Sequence, residues 1–456
     1  MVEVAGSQMI VGLIIGIALL IILILKTKIH AFLALIIAAA TTGLIGGMAP
    51  NAVLDAISKG FGGTLASIGI IIGFGVMMGE IFEASGAAER MAQTFIKKLG
   101  KGREEIALAI TGFLVSIPIF CDSGFVILSP LTKAISRKTK KSTVTLGISL
   151  AAGLVITHSL VPPTPGPVGV AGLFGVNVGS LILWGIVMAI PMTIAAIMYA
   201  KYIGKKIYQV PSEDGEGWER PEYQEPVYDS IYDVENDNLP SVFLSFSPIA
   251  VPIVLILINT ITAAMKLEGP FMPAIGFLGS PVIAVGIGLI VAIYGLAGKY
   301  TREETIEHME RGIKSAGIII LVTGGGGALG MVLRDSGAGD YIAQIISQTS
   351  LPPILLPFVI ASLVRLIQGS GTVSMITAAS ITAPIIAGLS VNPIFAALAA
   401  CTGSLVYSYF NDSYFWVVNR MLGIKDAKEQ MQVWSVTTTI IWAVGLVELL
   451  IFSSIF

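Results

Sequence analysis

A chain of 456 residues with 54% hydrophobic and only 12% charged side chains, and a mean hydropathy of +0.86, is not built for water; soluble domains carry about a quarter charged residues. The net charge of −2 gives no footing for a nucleic-acid partner. Three histidines and two cysteines, Cys121 and Cys401, both in apolar stretches, assemble no metal set, disulfide pattern or nucleophile with a base, so no enzyme, metal or cofactor is indicated.

Apolar runs long enough to cross roughly 30 Å of hydrocarbon recur at about 9–25, 31–48, 64–82, 143–161, 179–200, 247–265, 281–298, 315–333, 391–410 and 433–456. This predicts an all-α, multi-pass protein of the plasma (inner) membrane with the lipid bilayer as its main partner. The first run has neither a basic region before it nor a small-residue cleavage signal after it, and is expected to be a retained helix.

Taken in chain order, the first half (1–206) continues past its second run to GEIFEASGAAERMA at 79–92. Residues 104–136 follow, an apolar stretch flanked on both sides by Lys and Arg and interrupted at Pro118 and CDSG, 121–124. Two short arms that leave and return to one face make a re-entrant hairpin. The next run breaks at THSLVPPTPGPVG, 157–169. The stretch 207–245, rich in acids, Pro and Tyr, reads as a polar cytoplasmic linker. The second half (246–456) repeats the order, with GMVLRDSGAGDYIA at 330–343, a second hairpin at about 353–390 broken at QGSGT, 368–372, and a broken span at GSLVYSYFNDSYFW, 403–416.

The two 14-residue segments match at an offset of 251, with Gly79/Gly330, Ser85/Ser336, Gly86/Gly337, Ala87/Ala338 and Ala92/Ala343 identical, so the halves are repeats. Cytoplasmic loops collect Lys and Arg. Placing 26–30, 89–105, 132–142, 201–245, 299–314 and 411–431 inside leaves out only Lys59, Lys266, Arg334 and Arg365. The basic run at 89–105 has an uncharged-or-acidic counterpart at 340–353, so the repeats are predicted to be inverted. That arrangement marks secondary carriers, whose site lies near the midplane at broken helices.

Non-helical backbone at membrane depth is tolerated where a watery cavity or protein satisfies it, and half-helix N-termini there suit a carboxylate. The candidate substrate-binding residues are therefore Asp122, Ser123 and Gly124 at the first tip, Thr164 and Gly166 in the first broken span, Ser370, Gly371 and Thr372 at the second tip, and Asn411 and Asp412 in the second broken span. Asp122 and His158 are the candidates for carrying a proton. Arg365, inside an apolar run, either meets the substrate carboxylate or forms a structural ion pair. Freed carbonyls and hydroxyls could instead hold Na⁺, and a channel is the rival class.

The stretches IPIFCDSGFVILSP, THSLVPPTPGPVGVAG, RLIQGSGTVSMITAAS and NDSYFWVVNRMLGI resemble the signature stretches of the gluconate permease (GntP) family, in the same order and through both halves. The resemblance implies a homodimer with a scaffold domain and an elevator-type transport domain. It also implies proton symport of a small anionic substrate, gluconate or a related sugar acid, glycerate or, as an alternative, D-serine. Two positions depart from the gluconate-type pattern: Asp-Ser-Gly stands where Glu-Val-Gly is typical, and Thr164 interrupts a PPHPGP-like motif.

Overall fold

A computed structural model describes residues 6–99, 102–212, 217–225, 239–337, 352–409 and 412–456. The chain is helical almost throughout. It opens with α1 (Gly6–Lys26), α2 (Ala31–Ile45), the 36-residue α3 (Pro50–Ser85) and the amphipathic α4 (Ala87–Leu99). Gly86, in the left-handed region at φ 81°, turns the chain from α3 into α4.

The first hairpin is α5 (Glu104–Val115) and α6 (Cys121–Thr139), parted by a short non-helical link that contains Pro118. CDSG lies in the first turn of α6 and not in the link itself. Ser142 caps α7 (Thr143–Leu160) by accepting from the Val144 amide, and every residue of α7 is buried. The proline motif then opens the helix before α8 (Pro165–Phe174). Pro165 and Pro167 belong to the first turn of α8, where a missing N–H costs nothing. α9 (Val178–Lys206) closes the half.

The second half runs through α10 (Val242–Ala264), α11 (Met272–Leu278), α12 (Pro281–Leu296) and the 34-residue α13 (Arg302–Asp335). Its hairpin is α14 (Leu355–Gln368) and α15 (Gly371–Ile386). The second broken span is α16 (Pro393–Gly403) and α17 (Ser413–Met421), and α18 (Ala427–Gln430) leads through a π-helical turn, Met431–Ser435, into α19 (Val436–Ile455). Long helix, hairpin, broken span and long outer helix thus occur in the same order in both halves.

Among the described residues, four segments are long and apolar enough to cross a bilayer: Thr143–Phe174, taken through its break, Val178–Lys206, Val242–Ala263 and Ala427–Ile455. Two bent pairs, within α3 (45°) and at α11–α12 (63°), can each add one. This is fewer than ten because an apolar run need not be one continuous helix. The run at 391–410 holds only the 11-residue α16, about 16 Å at 1.5 Å per residue, half the hydrocarbon.

α3 and α13, the helices that carry the repeated segments, run antiparallel. A Cβ on Gly60 would stand 2.3 Å from the Gly327 carbonyl, and one on Gly312 would stand 2.5 Å from the Val76 carbonyl, so the start of each helix lies against the end of the other. The buried centre is α7, α15 and α16, whose side chains are covered along nearly their whole length. Around it, α9, α10 and α19 present apolar residues outward, among them Ile194, Met198, Val254 and Val447. Hydrocarbon accepts such faces and water does not.

The polar linker does more than connect. Its described part forms a two-stranded antiparallel pair, Val210–Pro211 with Trp218–Glu219. Gln209 is buried; its backbone carbonyl accepts from Thr143 and its side-chain amide donates to the Leu422 carbonyl. Arg220 holds both carboxylate oxygens of Glu429 at 2.9 and 2.7 Å. Nearby, Lys141, between α6 and α7, lies 2.6 Å from Glu104 and 2.5 Å from Glu105. Burial works against its charge, but the hydrogen bonds to the two glutamates outweigh it and hold its proton more tightly than water does.

Candidate functional site

Three helices begin at one place. α6 starts beside Phe120, which provides no side-chain cap; Ser370 caps α15 by accepting from the Val373 amide; Asp412 caps α17 by accepting from the Tyr414 amide at 3.1 Å. Their first turns, with the end of α7 (Val155, His158, Ser159), Arg365 of α14 and Ser404 at the end of α16, line a cavity of about 420 Å³. A helix N-terminus leaves its first amides without intrahelical partners and carries roughly half a positive charge. Three of them facing one cavity favour an anion there.

The polar side chains divide into a fixed set and a free set. Arg365 is buried and donates to Asp412 and to the Gly369 carbonyl, so both of its named contacts lie within the protein. Asp412 also accepts from Ser408, whose hydroxyl takes the Trp434 indole N–H at 3.0 Å and whose amide donates to Thr438 at 2.9 Å. This network ties both ends of the second break together, and it makes Arg365 an ion-pair residue first. Asp122 is only partly buried and faces the cavity, and its one side chain–side chain hydrogen bond among the described residues is long, 3.5 Å from the Ser413 hydroxyl. His158 lines the same cavity beside Phe120, ring centroids 5.6 Å apart, and its Nδ1 has no hydrogen-bond partner among the described residues.

Of the residues singled out by sequence, Asp122, His158, Arg365, Ser370, Gly371, Thr372 and Asp412 come together on this cavity. Gly124 packs against Leu154. Thr164 donates its hydroxyl to the Val161 carbonyl at 2.8 Å, and Gly166 lies against Met375; neither is in the lining. Ser123 is in the first turn of α6, and Asn411 lies outside the described residues.

Sequence reasoning missed Ser159, Ser404 and Tyr414, which line the cavity together with Ser413 of the predicted second break. Ser413 and Tyr414 follow Asp412 directly, and an Asp at a helix start was the available signal. It also missed Glu448, buried in α19 with no partner for either oxygen among the described residues. A lone acid in an apolar run is conspicuous, but loop placement weighed only cations.

Buried hairpins and broken spans around a polar cavity, enclosed by apolar outer helices, are the build of a multi-pass membrane transporter. The model of the GntP family permease matches residues 8–455, and the chain belongs to that family of inner-membrane permeases. It is 51% identical over 98% of its length, and 92% of the relative's, to an uncharacterized permease of Haemophilus influenzae. It is 34% identical over 97% of its length, and 98% of the relative's, to the high-affinity gluconate transporter of Escherichia coli K12. The fold is shared with the Alcanivorax borkumensis YdaH transporter at a TM-score of 0.68 and 14% identity, covering 93% of this chain and 98% of that one.

Proposed function

We propose that the protein imports a small hydroxylated carboxylate, gluconate or a related sugar acid, by proton symport with alternating access. The observation that carries this is the meeting of three helix N-termini on one 420 Å³ cavity whose guanidinium is already paired. The carboxylate is held by those amides at the starts of α6, α15 and α17 that the Ser370 and Asp412 caps do not occupy, and the hydroxyls by Thr372, Ser404 and Ser413. The relatives named for gluconate support the substrate class.

Asp122 supplies the coupling. An ionised Asp122 repels a substrate carboxylate about 4 Å away by roughly 4 kcal/mol at an effective dielectric of 20, about a thousandfold in affinity. A protonated Asp122 instead donates a hydrogen bond to it, so proton and anion enter together. His158, whose Nδ1 on the same wall has no hydrogen-bond partner among the described residues, passes the proton.

The antiparallel course of α3 and α13 supports reading the halves 1–206 and 246–456 as inverted repeats with opposed re-entrant hairpins. The same reading includes a homodimer, in which the hairpins and broken spans move as a unit against a scaffold. Competition for binding to the purified protein tests the anion site. Gluconate is expected to compete and its uncharged polyol analogue to fail, and Thr372→Val should raise the half-saturation constant by roughly ten- to a hundredfold, since a hydrogen bond to a charged group contributes about 1.5–3 kcal/mol. Equal competition by the polyol would overturn the carboxylate-centred site.

A further inference from the structure

A second cavity, of about 270 Å³, opens where the ends of α6 and α9, the start of α7 and the linker meet. Its lining includes Lys140, Lys141, Lys201 and Lys205 against one carboxylate, Glu105. Lys141 and Lys201 are spent on that carboxylate, at 2.5 and 2.6 Å. Glu104, 2.6 Å from Lys141, supplies a second carboxylate to this cluster, whereas Lys140 and Lys205 are exposed and make no ion pair among the described residues, so two positive charges are left beyond those the cluster neutralises itself. The start of α7 adds little, because the Thr143 and Val144 amides already donate to the Gln209 carbonyl and the Ser142 hydroxyl. The attraction comes from ammonium groups.

The linker forms one wall. Tyr223 lies under the Lys205 ammonium, 5.6 Å from its ring centroid, and stacks edge-on with Tyr208, whose hydroxyl donates to the Lys140 carbonyl at 2.7 Å. Two lysines without ion pairs on one cavity, with Tyr223 in its wall, fit a phosphate, which lysine binds as a point charge. The position, at the end of the apolar α9 and on the face that collects basic loops, is the depth of lipid headgroups, and basic pockets between membrane helices at that depth hold phosphorylated headgroups.

We infer that this cavity is a phosphate-binding site, separate from the substrate cavity, in which an anionic phosphate group bridges the end of the first hairpin (Lys140), α9 (Lys205) and the linker (Tyr223). The group comes from an anionic phospholipid or from a soluble phosphate. Binding joins three segments that otherwise touch at few points, so it stiffens the hairpin end against α9.

The test is thermal unfolding of the full-length purified protein in detergent, with added phosphatidylglycerol, phosphatidylcholine or inorganic phosphate, beside Lys140→Gln/Lys205→Gln and Lys140→Arg/Lys205→Arg. Phosphatidylglycerol is expected to raise the midpoint by several degrees where phosphatidylcholine does not, and the response should vanish in the glutamine pair and persist in the arginine pair. A rise with inorganic phosphate as well assigns the site to soluble phosphates; a rise with the lipid alone assigns it to headgroups. No rise with either, or a rise that the glutamine pair retains in full, overturns the site. Because unfolding is read without substrate, the outcome does not depend on what the protein carries.

Discussion

Arg365→Ala is expected to abolish uptake and to lower stability by about 3–5 kcal/mol, the cost of leaving a buried partner charge uncompensated. Asp412 would lose its guanidinium and keep only Ser408 and the Tyr414 amide. The cap of α17 would then stand as a poorly paired charge at the second break. Arg365→Ala/Asp412→Ala, which removes both charges, should recover part of the stability without recovering transport, because the ordered start of α17 is still lost. Unfolding in detergent and uptake in cells read the two effects separately. A single variant as stable as the wild type would show that the pair is not what holds the break.

Asp122→Asn is expected to remove accumulation driven by a pH gradient while retaining substrate exchange. The amide cannot release a proton, but it can donate a hydrogen bond to the substrate carboxylate as the protonated acid does. Asp122 contributes little to packing, with one side chain–side chain hydrogen bond among the described residues, to Ser413 at 3.5 Å, so the variant should fold normally. Counterflow and gradient-driven uptake in the same proteoliposomes separate the two activities. Full gradient-driven accumulation by the variant would remove Asp122 from the coupling route.

Much of the architecture was legible because glycine and proline punctuate it. The hairpin breaks at Pro118 and Gly369, the proline break after Leu160 and the Asp412 cap all fall where backbone chemistry forbids or ends a helix. What was not legible depends on distance across the fold. Arg365 and Asp412 are 47 residues apart, and nothing local says that they pair, so the sequence leaves both a substrate contact and an ion pair open, with only the distance of Arg365 from the hairpin tip leaning toward the ion pair. Thr164 looked like a pocket residue because it interrupts a proline motif, yet its hydroxyl returns to its own chain at Val161. For the linker, the sequence offers composition alone. Acids and tyrosines do predict a solvated loop, but they do not reveal that Gln209 and Arg220 reach α17 and α18.

Uptake of labelled gluconate into proteoliposomes holding the purified protein, with an acid-outside gradient and no Na⁺, tests the central claim most directly. The expected result is concentrative uptake that collapses when a protonophore dissipates the gradient, that is unchanged by added Na⁺, and that unlabelled gluconate inhibits while its uncharged polyol analogue does not. Accumulation that requires a Na⁺ gradient and ignores the pH gradient would contradict it.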